Sequence, residues 1–429
     1  MKQNRQILQL AVPNLISNIT VPLLGAVDLA MMGRINSLTA MGAISLGAMI
    51  FNFLYWALGF LRMGTCGFTA QAYGAKRMDE SVLTLFRALT VALCGALLLW
   101  IFQTPLLKAA LAIASPEADL AQATARYFRL RIWAAPATIG AFAFAGWFIG
   151  MQDSKTPMWT AILVNVANIG FNALFVFVYH LGSDGVAIGT VSAQYTGLLL
   201  YAVLAGRRIA RLSVRFSWRE VLAWNKLKRF LHVNSDIFLR TLLLILVFAF
   251  FTAQSSRMGN ETLVMNTLLY QFFIFYSYAM DGFAHAAEAL CGKFTGSRQQ
   301  NLKKAVIRRI FLWGAGIATV FTLGYGLFFE SILSVFTNDA GILAMSRPYL
   351  PWTLLITLIG FPAFLYDGVY AGSLATKAML LTMLLATIGF FALFYGFYAP
   401  MRNHALWLAM SGFLALRGIS MSLWWRRVE

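Results

Sequence analysis

Charge is what this chain has least of. Asp, Glu, Lys and Arg make up 12% of its 429 residues, against about 25% in a typical soluble domain. Carboxylates are the scarcer sign, 16 against 34 basic residues. The three cysteines, Cys66, Cys94 and Cys291, lie in or beside apolar segments, and neither a metal spacing nor a disulfide framework emerges from them. No nucleophile–base motif, phosphate loop or nucleotide fold is visible, and there is no room for a soluble ATP-binding domain. Enzymatic chemistry is therefore not expected, and energy, if used, must come from an ion gradient. What the chain does have is apolar surface: 60% hydrophobic residues and a mean hydropathy of +0.70. That excludes an ordinary soluble domain. A net charge of +18 would suggest a nucleic-acid partner for a soluble protein. In a membrane protein the basic bias of inside loops accounts for it, so the bilayer is the expected partner and nucleic acid is not. The first apolar segment is a full-length span without a small-residue cleavage site, so no cleavable signal peptide is expected.

Apolar segments of spanning length predict twelve transmembrane helices, at about 7–32, 41–66, 83–104, 124–150, 158–180, 185–206, 231–256, 262–290, 305–329, 347–371, 378–398 and 404–425. With the N-terminus inside, the inside segments carry 24 Lys and Arg and the outside segments carry 8. This bias predicts that both termini are cytoplasmic. The inside count places Arg417 with the C-terminal tail, leaving Arg62 and Arg240 as the basic residues within spans. The longest basic segment, 207–230, divides six spans from six. It suggests an N-terminal lobe over 1–206, a basic cytoplasmic interlobe loop over 207–230 and a C-terminal lobe over 231–429.

An internal repeat supports that division. ANIGFNALF at 167–175 and ATIGFFALF at 386–394 agree at seven of nine positions, at an offset of 219. Gly146 and Gly150 match Gly368 and Gly372 at an offset of 222. AQAYGAK at 70–76 aligns with AEALCGK at 287–293, at an offset of 217. Six spans is an even number, so the halves share an orientation. A pseudo-two-fold axis along the membrane normal would then relate them, as in parallel-repeat transporters.

Polar residues inside the spans are the candidate site. In the first span, Asn14, Ser17 and Asp28 share one stripe, and Pro22 removes an N–H and allows a helix bend. A carboxyl at membrane depth costs roughly 2.5–3.5 kcal/mol on insertion scales, and such groups mark ion or substrate paths. The plainer alternative is an aspartate that snorkels to the interface. Asn165, Asn168 and Asn172 lie on one face of the fifth span, with Thr190 and Gln194 on the sixth. They read as the wall of a hydrated cavity, or otherwise as interhelical glue. The second half is richer in charge. Asp236 and Arg240 stand at i and i+4, the spacing of a structural ion pair. Asp281, His285 and Glu288 share one face of the eighth span, and Asp367 lies in the tenth. Without a second convergent cluster, the three are not expected to bind a metal.

At this point the residues resemble a known family. LRMGTCGFTAQAYGAKR (61–77), DIFLRTL (236–242), DGFAHAAEALCGK (281–293) and YDGVYAG (366–372) are similar to the DinF-like branch of the multidrug and toxic compound extrusion (MATE) transporters. With the first-span VD pair, the likeness covers nearly the whole chain. It implies a two-lobed, twelve-helix antiporter in the bacterial inner membrane. Such a protein would exchange a cytoplasmic organic cation or other amphiphile for incoming H⁺ or Na⁺ by alternating access. No cofactor beyond that ion is implied, and a monomer is expected. The likeness makes Asp28 the main ion-linked group. Archaeal members add an Asn and an Asp one turn apart on the fifth span and a Thr on the sixth. Asn168 and Thr190 match two of these, while Asn172 stands where the second carboxylate would be. An amide cannot hold a proton charge, so a two-carboxylate relay in this lobe is not expected. A flippase for a lipid-linked precursor is the other transport reading, but it would want more basic residues in the cavity for pyrophosphate.

Overall fold

The computed structural model describes the backbone of residues 2–33, 38–212, 214 and 217–428, with the side chains of the same residues except 2, 21–33 and 426–428. Asp28 and Pro22 fall in that exception, so their side chains lie outside the described residues. Every regular element among the described residues is helical. Hydrophobic segments leave the backbone no water to bond, so each must satisfy its own N–H and C=O groups, and the helix does this within the segment.

The first half contains α1 (Lys2–Gly33), α2 (Leu38–Leu58), α3 (Phe60–Gly74), α4 (Met78–Ile101), α5 (Gln103–Ala114), α6 (Ala118–Arg131), α7 (Ala135–Gly150), α8 (Lys155–Ala173) and α9 (Gly182–Leu212). A short α10 (Trp218–Val221) follows. The second half contains α11 (Trp224–Arg257), α12 (Asn260–Gly296), α13 (Gln300–Phe336), α14 (Ala340–Ser346), α15 (Leu350–Ser373), α16 (Thr376–Met401) and α17 (Asn403–Val428). Eleven helical stretches among the described residues are long and apolar enough to cross a membrane, and α1 covers the remaining predicted span. Two predicted spans contain a 3₁₀ joint, and the predicted span at 41–66 is interrupted at Gly59, between α2 and α3. A 3₁₀ turn at Ile132–Ala134 links α6 to α7, and one at Arg347–Tyr349 links α14 to α15. Pro136 and Pro351 start the helices that follow, where the missing proline N–H costs nothing.

The chain forms two compact units. One comprises Met1–Leu15 and His232–Glu429, the other Ile16–Leu231. We refer to them as the C unit and the N unit. The first fifteen residues therefore belong with the second half of the chain, whereas sequence placed all of 1–206 together. The reason is local: Gly282 of α12 has no side chain, and the backbone of Ala11 and Leu15 occupies the space its Cβ would need. Part of the predicted interlobe loop is also ordered helix. Arg87 of α4 reaches across to it, donating to the carbonyls of Val221 at 3.2 Å and Glu220 at 2.9 Å, which are the C-terminal acceptors of α10.

Glycine pairs bring two helices of each unit into backbone contact. In the N unit a Cβ at Gly146 would strike the Arg62 carbonyl, and one at Gly150 would lie 2.8 Å from the Cys66 carbonyl. In the C unit Gly368 and Gly372 meet the carbonyls of Ala284 and Glu288 in the same way. Glycines and their partners are all related by the offset 222. So are the left-handed residues that end the paired helices, Lys76 with Arg298 and Gln152 with Leu374. The AQAYGAK and AEALCGK match at 217 is five residues out of this register and is not part of the structural repeat.

Candidate functional site

In the N unit the polar residues of α8 and α9 form one hydrogen-bonded chain. The Asn172 amide donates to the Asn168 side-chain oxygen at 2.9 Å, Asn168 donates to the Thr190 hydroxyl at 3.0 Å, and Thr190 donates to the Val186 carbonyl at 2.9 Å. All three side chains are buried. Gly189 makes the approach possible, because a Cβ there would collide with the Asn172 side-chain oxygen. Immediately beyond, α8 widens into a π-helical turn at Leu174–Val178. Single π turns in α-helices are frequent at functional sites. Asn165 donates to the Thr20 carbonyl at 3.3 Å, which ties α8 to α1. Gln194 is half-buried and makes no side-chain hydrogen bond among the described residues. Asn14 departs from expectation: it sits in the part of α1 that belongs to the C unit, and its amide donates to the Leu10 carbonyl at 2.8 Å. Ser17 remains with the N unit and is engaged in its own contacts.

The C unit holds the charges, arranged differently from the i, i+4 expectation. Arg240 pairs with Asp367 of α15 and not with Asp236. A second guanidinium, Arg417 of α17, donates to the same Asp367 oxygen at 2.6 Å. Arg417 is 2% exposed, so it belongs to the helix bundle and not to the inside tail where sequence counted it. Its position inside the last predicted span was the available signal. Asp281 adds a further favourable electrostatic interaction with Arg417. Asp236 instead accepts a hydrogen bond from the Thr376 hydroxyl at 2.7 Å, a partner sequence gave no reason to choose. It borders a cavity of about 610 Å³ that His232, Lys377 and Trp424 also line. Glu288 is buried, His285 half-buried, and both engage neighbouring groups. Among the described residues no three His, Cys, Asp or Glu side chains are arranged to hold a metal.

The surroundings differ as much as the sites. The C unit packs around a continuous aromatic core in which Phe250 meets Phe390, Phe391 and Phe394 of α16 edge-on, with ring centroids 5.0 to 5.8 Å apart. The polar stretch of α8 has its sequence counterpart in this aromatic stretch of α16. The N unit thus presents a buried, uncharged line of donors and acceptors, and the C unit a buried network of opposite charges.

A polytopic helical membrane protein built from two related halves, with polar groups buried in each, is the class these features define. The MatE family model matches residues 13–174 and 237–395, so both halves of the chain are recognised. DNA damage-inducible protein F of Escherichia coli (strain K12) is 36% identical over 97% of this chain and 91% of its own length. Multidrug and toxin extrusion protein 1 of Pongo abelii is 22% identical over 86% of this chain and 64% of its own. The crystal structure of the Vibrio cholerae MATE transporter VcmN in the bent form superposes with a TM-score of 0.87. That match has 16% identity and covers 100% of this chain and 97% of the other. The chain belongs to the MATE family, on its DinF-related side. It is a multi-pass membrane transporter of a multidrug and toxin efflux family and not an enzyme.

Proposed function

We propose that the protein is an H⁺- or Na⁺-coupled antiporter of the bacterial inner membrane. It exports organic cations or other amphiphilic compounds from the cytoplasm by alternating access, with both termini cytoplasmic and Asp28 as the ion-coupling carboxylate. The observation that carries this reading is the division of charge. Asp367 is already held by Arg240 and Arg417, and Asp236 by Thr376. The N-unit cluster of Asn168, Asn172 and Thr190 has donors and acceptors but no charge. A carboxylate on α1 would supply the one group there whose charge a small cation can cancel. Helix geometry supports the placement. The first and fifth spans run in the same direction, and the Asn165–Thr20 contact sets them level. Asp28 is eight residues past Thr20 and Asn172 seven past Asn165. At about 1.5 Å per residue, the two then stand at similar depth.

Coupling follows from competition for one charge. Proton uptake from the acidic outer side neutralises Asp28, and a cationic substrate loses its partner. Facing the cytoplasm, Asp28 releases the proton and pairs with a new cation. A bend at Pro22 would turn that change into helix movement. Sodium is the other ion the site suits, since amide, hydroxyl and carboxylate oxygens all bind hard cations. The flippase reading gains nothing from the C-unit guanidiniums, because Arg240 and Arg417 are already bonded to Asp367.

Everted vesicles test the proposal. Efflux of a cationic dye should collapse when the coupling gradient, ΔpH or ΔNa⁺, is dissipated on its own. Asp28→Asn should insert at wild-type levels and lose at least tenfold of that efflux. Wild-type efflux by the variant would end the proposal.

A further inference from the structure

The N unit carries a second polar recess, away from the amide chain of α8 and α9. The turn between α3 and α4, the first turns of α4 and the start of α11 enclose a cavity of about 170 Å³. Four basic residues line it, Arg77, Arg87, Lys226 and Arg229, against one carboxylate, Glu80. Glu80 is fully committed, accepting from Arg87 and from Lys226 at 2.7 Å each. Arg87 is committed as well, since its other nitrogens bond the α10 carbonyls. Arg77 and Arg229 have no ion-pair partner among the described residues. Two guanidiniums without an ion-pair partner, and a lysine bonded only to Glu80, therefore leave the recess with an excess of positive charge. Guanidinium forks bind the oxygens of phosphate and carboxylate bidentately, and the one carboxylate lining the recess is already taken by Arg87 and Lys226.

The walls point to where that phosphate comes from. Phe68 and Phe230 form an apolar side, with the Arg229 guanidinium 5.7 Å over the Phe68 ring. In the chain just before Lys226, Trp218, Leu222 and Trp224 are all exposed, at 58%, 54% and 65%. Tryptophans left open at the end of apolar spans mark the headgroup level of a bilayer, and basic pockets at that level bind anionic headgroups.

We propose that this recess is a binding site for the phosphate of an anionic glycerophospholipid, held by Arg77, Arg229 and Lys226. Occupancy joins the start of α11 to the α3–α4 turn. The proposal does not rest on the transport reading and is tested separately from it.

The purified full-length protein in neutral detergent is titrated with phosphatidylglycerol, phosphatidylcholine and inorganic phosphate, and binding is read by native mass spectrometry and thermal melting. Phosphatidylglycerol should bind at least tenfold more tightly than phosphatidylcholine. Arg77→Gln/Arg229→Gln should abolish that preference, while Arg219→Gln, outside the recess, keeps it. Inorganic phosphate that protects wild type but not the double variant, at concentrations matching the lipid, also supports a phosphate site and makes a soluble phosphate its ligand. Equal phosphatidylglycerol binding by wild type and double variant overturns the proposal, as does the absence of both headgroup preference and phosphate protection. If the double variant fails to fold, Arg77→Gln alone makes the same comparison, because Arg77 has no ion-pair partner to lose.

Discussion

Asp367 is the residue on which the C unit's polar interior depends. Removing it leaves Arg240 and Arg417 buried without their shared anion, and loss of one side of a buried ion pair costs about 3–5 kcal/mol. Asp367→Ala should therefore melt well below wild type in detergent. Asp236→Asn keeps an acceptor for Thr376 and should melt within a few degrees of wild type. Similar melting temperatures for the two variants would contradict the paired-arginine arrangement. In the N unit, Asn172 occupies the end of the Asn168–Thr190 chain. Asn172→Asp adds a titratable group beside that chain, and the pH profile of dye efflux should move, with Asn172→Ala as the control for lost hydrogen bonding. An unchanged profile would mean that α8 does not border the ion path. Spacing alone identified Asn165, Asn168 and Asn172 as one polar face, because helical periodicity is a local property. It misassigned the partner of Arg240, because the competing acceptor lies 127 residues away.

At the scale of helices, the two glycine pairs make the sharpest comparison. Gly368→Ala places a methyl against the Ala284 carbonyl on α12, and Gly146→Ala does the same against Arg62 on α3. Backbone cannot move aside as a flexible side chain can, so both variants should lose folded protein in a detergent-stability assay. Gly316 and Gly324 of α13 have nothing within 4 Å of the added atom. Alanine there should leave stability unchanged or raise it by up to about 1 kcal/mol, the helix propensity difference. Loss at all four sites would remove close helix contact as the cause. The pairing Gly146 and Gly150 with Gly368 and Gly372 was visible as a repeat in sequence, and the structure supplies its use. The competing match at offset 217 shows the weakness of short apolar identities. Alanine, glycine and leucine recur too often in such segments for seven residues to define a register.

At the scale of the whole chain, α1 and α11 each contribute to both compact units, changing near residues 15 and 231. Deleting residues 1–15 should therefore loosen the C unit and not the N unit. Limited proteolysis checks this: new cuts should appear within 232–429, near the part of α12 that Ala11 and Leu15 cover. Cuts confined to 16–231 would contradict the division.

The number of spans, the two-fold duplication and the membrane location follow from the order of residues alone. Long apolar runs leave the backbone no other way to bond, and the excess of Lys and Arg in alternate segments is counted without knowing any contact. Which carboxylate meets which guanidinium, and which unit receives the first fifteen residues, came only from the folded chain. Those outcomes depend on helices separated by one to three hundred residues competing for the same buried partners, and that competition leaves no periodicity in sequence.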